Sequence, residues 1–474
     1  MDYQKEYERK LISPEEAANL VKDGMHIEIG GSANTALIID KYLAKRKDEL
    51  SHVEVGTFID IAHYEFLKAD PEQEKIKWES CFLYEPVRKC SKELGPCVHR
   101  PGVLSDAGYI AKELGGVLKG GKKYTDIAFL VTTPMDRHGF FNFGVTCTFL
   151  KSIAEGAEKV VVVVKKDMPW VNGGYDECIH ISEVDYIVED NEFPTPFLPF
   201  LPPPSKEDEM IAENIMEAGL IENGSTLQVG IGGLPNTVVR MLKEAGLKDL
   251  GIHTEMMGDG LMELMEEGIV TNQNKKLDRG KAVFSFALGT RKLYDFLDRN
   301  PEVATYPVEY TNNPFVVAQQ PKMFSLNQVA QIDLMGQINS GQIGLTSPSG
   351  KIFQISGTGG QLDFVLGCFY SFDRQGKSVL ATYSTYNGTS RIIPALPTGA
   401  GVTVPRSVVQ YVATEWGIAY LRGLPIYKRA AAMIQLAHPD HRDWLEEEAR
   451  KLGILPPKYS IPAGKADGVI YRRD

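Results

Sequence analysis

The chain repeats itself, and that duplication limits the folds open to it more than any other feature. Leu20-Val21-Lys22-Asp23-Gly24, then Ile27-Glu28-Ile29-Gly30-Gly31 and Asn34-Thr35, returns as Leu220-Ile221-Glu222-Asn223-Gly224, then Leu227-Gln228-Val229-Gly230 and Asn236-Thr237. His52-Val53-Glu54-Val55 is echoed by His253-Thr254-Glu255-Met256, and D-x-x-G-x-x-N recurs at Asp136, Gly139 and Asn142 and at Asp333, Gly336 and Asn339. Three echoes in one order, about 200 residues apart, read as a duplicated fold. Each copy has the pattern helix, turn, strand, Gly-rich loop, helix, strand. In the second copy the signals predict a helix over 208–218, a strand over 225–229 and a helix opening near Pro235. With unbroken apolar runs at 127–131 and 159–164, the fold class is α/β: two similar open domains whose largely parallel sheets are covered by helices. Helical spacing over 426–452, broken at Pro439, predicts a closing helical pair.

Residues 191–208 read NEFPTPFLPFLPPPSKED, too rich in proline to continue a helix or a central strand. This stretch divides the chain into domains at 1–205 and 206–474, each long enough to bury its own core. A net charge of −11 gives no general footprint for nucleic acid or an anionic membrane, though a local basic pocket for a phosphorylated ligand stays open. The charged first ten residues have no apolar core of a secretion signal, and no apolar run approaches the length of a membrane span. Six cysteines without a C-x-x-C pair fit a reducing compartment, so a soluble cytoplasmic protein is expected.

Three motifs carry candidate chemistry. Gly230-Ile231-Gly232-Gly233-Leu234-Pro235 follows a strand and opens a helix, so its backbone N–H groups can face a phosphate or an oxyanion, or simply make a turn. It matches neither the dinucleotide pattern nor a Walker loop. Glu255 follows an apolar strand and precedes Gly258, where open α/β sheets place ligand sites, although a solvated strand-end carboxylate reads the same way. Glu54 takes the matching place in the first half. The third motif, Ser356-Gly357-Thr358-Gly359-Gly360-Gln361, leads into a helix and offers amides to an oxyanion, or a flexible turn. His438 and His441 read as a helix start, the other histidines are scattered, and no metal site is expected.

With these motifs in order, the chain resembles the acetyl-CoA hydrolase/transferase family of class I CoA-transferases, closest to its 4-hydroxybutyrate and butyryl-CoA:acetate branch. The resemblance runs from Lys10-Leu11-Ile12-Ser13-Pro14 through Pro134-Met135-Asp136, G-I-G-G-L-P from Gly230, H-T-E-M at His253 and Gly359-Gly360-Gln361 to Ala437-His438-Pro439-Asp440. It implies NagB/RpiA-like CoA-transferase domains with the active site at their interface, and exchange of CoA between a short-chain acyl-CoA and a carboxylate such as acetate. Glu255 would be the nucleophile that becomes a glutamyl-CoA thioester, and Asn312 and the Gly360 amide the oxyanion donors. Gly230, Ile231, Gly232, Gly233, Leu234, Ala330, Ser356, Gly360 and Arg374 would line CoA, with Lys377 an alternative to Arg374. The resemblance further implies CoA as a substrate rather than a bound cofactor, and a homodimer or higher homo-oligomer. Acyl-CoA hydrolysis is the nearest rival reaction, and a non-catalytic acyl-CoA sensor is a more distant one. Met257, Cys368 and Tyr420 depart from the family pattern, the first two as residues able to reshape an acyl pocket.

Overall fold

Two sheets set the architecture in the computed structural model, which describes residues 2–198, 203–230, 232–344 and 350–473. The first contains β1 (His26–Gly31), β2 (Val53–Phe58), β3 (Ile76–Ser80), β4 (Thr125–Thr132), β5 (Ala157–Val164) and β6 (Tyr186–Glu189). Their order is β3-β2-β1-β4-β5-β6, with every neighbour parallel. Val160 to Val164 are all buried, as a parallel strand covered on both faces requires.

The second sheet contains β7 (Thr226–Val229), β8 (Gly251–Ile252), β9 (Met323–Gln328), β10 (Lys377–Ala381), β11 (Tyr411–Thr414), β12 (Gly417–Tyr420) and β13 (Val469–Arg472). Its order is β8-β7-β9-β10-β11-β12-β13. The first five strands run parallel and repeat the order of β2-β1-β4-β5-β6, while β12 and β13 extend the sheet antiparallel. Strand order reverses between β7 and β9, and the crevice outside the carboxyl ends at such a reversal is where open α/β sheets bind ligands.

The chain packs as two compact units, each built on one sheet. Two excursions from the second half, Val283–Thr311 and Phe353–Gly359, pack with the first unit. The closing pair is α5 (Ile426–Leu436) and α6 (Pro439–Lys451), met after α1 (Leu37–Lys45), α2 (Lys206–Glu217), α3 (Gly233–Glu244) and α4 (Gln361–Phe369). Helix α5 buries Ala430 to Leu436 against Val412, Ala419 and Leu421 of the second sheet's core. The His438 side chain caps α6 by accepting from Asp440 N at 3.3 Å, the helix start its sequence context suggests. Among the described residues no helix is long and apolar enough to cross a membrane.

Two of the three echoes hold in atomic detail. Before β1, Gly24 (φ +75°) donates to Ser51 O and Ser51 N donates to Asp23; before β7, Gly224 (φ +75°) donates to Lys248 O and Lys248 N donates to Asn223. Beyond β4 and β9, the carboxylates of Asp136 and Asp333 each accept two backbone N–H groups around a left-handed glycine, Gly139 or Gly336. The His52/His253 echo is out of register. Ile27 pairs with Val55 and its counterpart Leu227 pairs with Ile252, so the equivalent of Glu255 is Phe58. Glu54 lies inside strand β2, four residues short of that place.

Candidate active site

Glu255 leaves the carboxyl end of β8, the edge strand of the second sheet. An edge strand of two residues needs its outer backbone groups satisfied, and the loop that follows supplies them with side chains. Ile252 N donates to Asn272 Oδ1 at 2.8 Å, and Lys275 Nζ donates to Ile252 O at 2.8 Å and to Lys281 O at 2.7 Å. Lys275 is 3% exposed, and burial pushes its amine down to about 7. The segment that presents Glu255 is therefore moored on both sides. Neither Asn272 nor Lys275 stands out in the sequence, because each acts as a substitute strand rather than within a motif.

The Glu255 carboxylate is met by two donors. Asn312 Nδ2 donates to Oε2 at 2.6 Å, and the Gly360 N–H donates to the same carboxylate. Asn312 is fully buried, ahead of the short helix Pro314–Val317. Gly360 caps the N-terminus of α4, which adds the positive end of the helix dipole. Gly360 has to be glycine: a Cβ there would stand 1.9 Å from Glu255 Oε2 and 2.1 Å from Asn312 Nδ2. Enclosure by protein dominates the carboxyl's acidity, and although both hydrogen bonds favour the anion, the pKa is pushed up to about 7. An ordinary glutamate acidity, fully ionised at neutral pH, is thus not what this site provides. Two N–H donors on one carboxylate can stabilise negative charge developing there.

The glycine loop after β7 and Ala330 after β9 lie at the same carboxyl edge of the sheet as Glu255, on either side of the order reversal. Gly232 has φ +128°, a conformation open only to glycine, and Gly233 starts α3 so close to the Asp208 carboxylate that a Cβ would fall 2.2 Å from Oδ2. Asp208 itself closes the capping box at the start of α2 and accepts from Tyr383 Oη at 2.8 Å. Leu234 is buried in α3, and Ile231 lies outside the described residues.

Ser356 belongs to the Phe353–Gly359 segment of the first unit, where Arg88 Nε donates to Ile355 O at 2.6 Å. Arg374 is exposed in the turn before β10, at the amino-terminal edge of the second sheet, and is not brought together with Gly230, Glu255 and Ala330. Lys377 begins β10 at that same far edge, and its Nζ donates to Leu220 O and Glu222. Cys368 packs in a core cluster with Val317, Met323 and Phe364, so it is a small apolar filler behind α4. Met256, Met257 and Phe364 are buried as well, giving the Glu255 neighbourhood an apolar backing.

Two family models match the chain: the acetyl-CoA hydrolase/transferase N-terminal domain over residues 1–199 and the C-terminal domain over 289–449. Butyryl-CoA:acetate CoA-transferase of Anaerostipes caccae is 38% identical over 96% of this chain and 99% of its own length. The 4-hydroxybutyrate coenzyme A transferase of Clostridium kluyveri is 36% identical over 95% of this chain and 100% of its own. Among solved structures, RipA from Yersinia pestis superposes with a TM-score of 0.82 at 35% identity, covering 96% of this chain and 100% of that one. The 4-hydroxybutyrate CoA-transferase from Porphyromonas gingivalis gives 0.74 at 31% identity, over 95% and 100%.

Proposed function

Because the chain belongs to the acetyl-CoA hydrolase/transferase family, we propose that it moves CoA from a short-chain acyl-CoA to a carboxylate through a thioester on Glu255. The Glu255 carboxylate attacks the thioester carbonyl carbon, the C–S bond breaks, and CoA leaves as thiolate from a mixed anhydride. The thiolate then attacks the glutamyl carbonyl carbon, the anhydride C–O bond breaks, and the first acid departs as carboxylate. Glutamyl-CoA remains, and an incoming carboxylate runs the same steps backwards. No atom changes oxidation state, so the sequence of steps calls for no redox cofactor, with CoA entering and leaving as substrate.

The observation that carries the reading is the placement of Glu255 Oε2 at 2.6 Å from Asn312 Nδ2, with the Gly360 N–H donating to the same carboxylate. When the thiolate attacks the glutamyl carbon, Oε2 becomes the oxyanion, with Asn312 Nδ2 already on it and the Gly360 N–H on the same carboxylate. We assign the chemistry to the domain spanning 206–474, with 1–205 as its companion, and CoA contact to Gly230, Gly232, Gly233 and Ala330. The substrate pair follows the relatives: butyryl-, 4-hydroxybutyryl- or acetyl-CoA with acetate, handled by a cytoplasmic homo-oligomer.

Transfer and hydrolysis differ only in whether a carboxylate or water resolves glutamyl-CoA. The buried Met256, Met257 and Phe364 favour transfer, since an apolar surround places water poorly as a nucleophile. Incubation with butyryl-CoA and excess acetate should yield acetyl-CoA and butyrate, read by mass spectrometry. Free CoA as the main product would make the enzyme a hydrolase, and tight CoA binding without turnover would make it a sensor.

A further inference from the structure

We propose that Arg391 grips the diphosphate of CoA, an inference that rests on the transferase reading and extends its binding site. The chain is acidic overall, so a polyanionic substrate needs a local cation, and none of the sequence motifs supplies one at the carboxyl edge of the second sheet. The Asp208 carboxylate already occupies the start of α3 at Gly233, which weakens the glycine loop as a phosphate cradle on its own.

Arg391 fills that gap. It follows the hairpin of Thr385–Tyr386 and Thr389–Ser390, turned by Asn387 and Gly388 with φ of +49° and +75°. The hairpin is anchored beyond the carboxyl ends of β10 and β9: Arg391 N donates to Ser384 O at 2.9 Å, and Ile332 N donates to Arg391 O at 3.0 Å. From there the side chain crosses to Ala330, where Nη1 donates to the carbonyl at 3.3 Å, and its guanidinium lies 4.7 Å over the Tyr386 ring.

A half-buried guanidinium normally has a carboxylate partner, because removing the charge from water is costly. Among the described residues none forms an ion pair with Arg391; the titratable groups beside it are the phenols of Tyr386 and Tyr383, uncharged at neutral pH, and burial lowers its pKa. One weak bond to a carbonyl leaves most of a five-donor fork free, in the planar arrangement that suits two phosphate oxygens. It is held beside Ala330 at the order reversal of the sheet, with its stem packed and its orientation fixed by Tyr386.

The test uses a ladder of thioester substrates: butyryl-CoA, butyryl-dephospho-CoA and butyryl-pantetheine, each with acetate as acceptor. Arg391→Gln keeps a donor for Ala330 O and removes the charge. It is expected to raise KM for the first two substrates at least about tenfold, with kcat and the KM for acetate unchanged and butyryl-pantetheine turned over as by wild type. A KM rise confined to butyryl-CoA would move Arg391 to the 3′-phosphate, and an equal change with butyryl-pantetheine, or none at all, would overturn the proposal. Arg391→Lys, which retains charge, should recover part of the loss. If turnover is absent even in wild type, the transferase reading fails separately, and calorimetric binding of CoA to wild type and Arg391→Gln still decides the role of Arg391.

Discussion

The two sheets carry enclosed carboxylates, within strands on the first and just past a strand end on the second, and treat them in opposite ways. On the first, Glu28 of β1 and Glu79 of β3 flank Gly56 of β2, whose missing side chain leaves a slot; a Cβ there would stand 2.5 Å from Glu28. Arg100 Nη1 donates to Glu28 at 3.2 Å and to Glu79 at 2.9 Å, and His26 Nε2 lies 3.3 Å from Glu79. Burial works against the Glu79 anion, yet the His26 hydrogen bond and the Arg100 charge hold its carboxyl below the usual range. On the second sheet the donors to Glu255 among the described residues are amides, and its carboxyl is pushed up to about 7. A carboxylate neutralised by a guanidinium is stabilised and spent as a nucleophile, whereas one enclosed with neutral donors keeps its electron pair available. The duplicated fold has one carboxylate pair tied to a guanidinium and one carboxylate, the proposed nucleophile, met by amide donors.

The comparison breaks most severely at the neutral donors. Gly360→Ala drives a methyl into the Glu255–Asn312 contact and is expected to lower kcat about 10³-fold. Asn312→Ala should lower it about 10²-fold with little change in the acyl-CoA KM, as removal of one oxyanion donor does. On the first sheet the matching insult is structural: Arg100→Met takes the shared guanidinium from the buried Glu28 and the half-buried Glu79 and should cost about 3 kcal/mol in urea unfolding, with kcat of the folded enzyme unchanged.

The pH dependence sharpens the contrast further. Attack needs the Glu255 anion, so the rate of enzyme acylation in rapid mixing should rise with pH through about 7, and Asn312→Ala should push that midpoint higher because the lost bond favoured the anion. For stability the sign is reversed. A carboxyl raised from 4.5 to about 7 on folding contributes stability that is complete below 4.5 and lost as pH rises through about 7. Glu255→Gln should therefore melt above wild type at pH 8 and alongside it at pH 4. The smallest expected effect is at the glycine loop. Gly230 has open space, with Leu326 O at 3.9 Å the nearest atom to a Cβ, so Gly230→Ala should fold normally and raise the acyl-CoA KM several-fold.

Sequence and structure agree where local chemistry writes the pattern. The helical spacing over 426–452, the apolar runs at 127–131 and 159–164, the proline break at Pro439 and the Asp-turn echo at Asp136 and Asp333 each follow from residues close in the chain, and each is present. The motifs around Glu255 and Gly360 were visible for the same reason, since a strand end and a helix start are local events. What could not be read is long range. The His52/His253 echo looked equivalent to the others, but strand register is set by pairing with β1 and β7, which moved Glu54 away from the place of Glu255. The expectation for Arg374 rests on likeness of sequence, and only the sheet reveals that it stands at the far edge. Lys275 and Arg391 carry no motif, and their significance comes from burial and partners that no spacing encodes.

The central claim is that Glu255 becomes covalently joined to CoA. The direct measurement is intact-mass and peptide mass spectrometry after incubation with butyryl-CoA without an acceptor acid, with and without borohydride reduction. The expected result is one CoA per chain on the peptide containing Glu255, its conversion by borohydride to the alcohol of that residue, and its loss on adding acetate or in Glu255→Gln. A label on another residue, or full transfer activity in Glu255→Gln, would contradict the account.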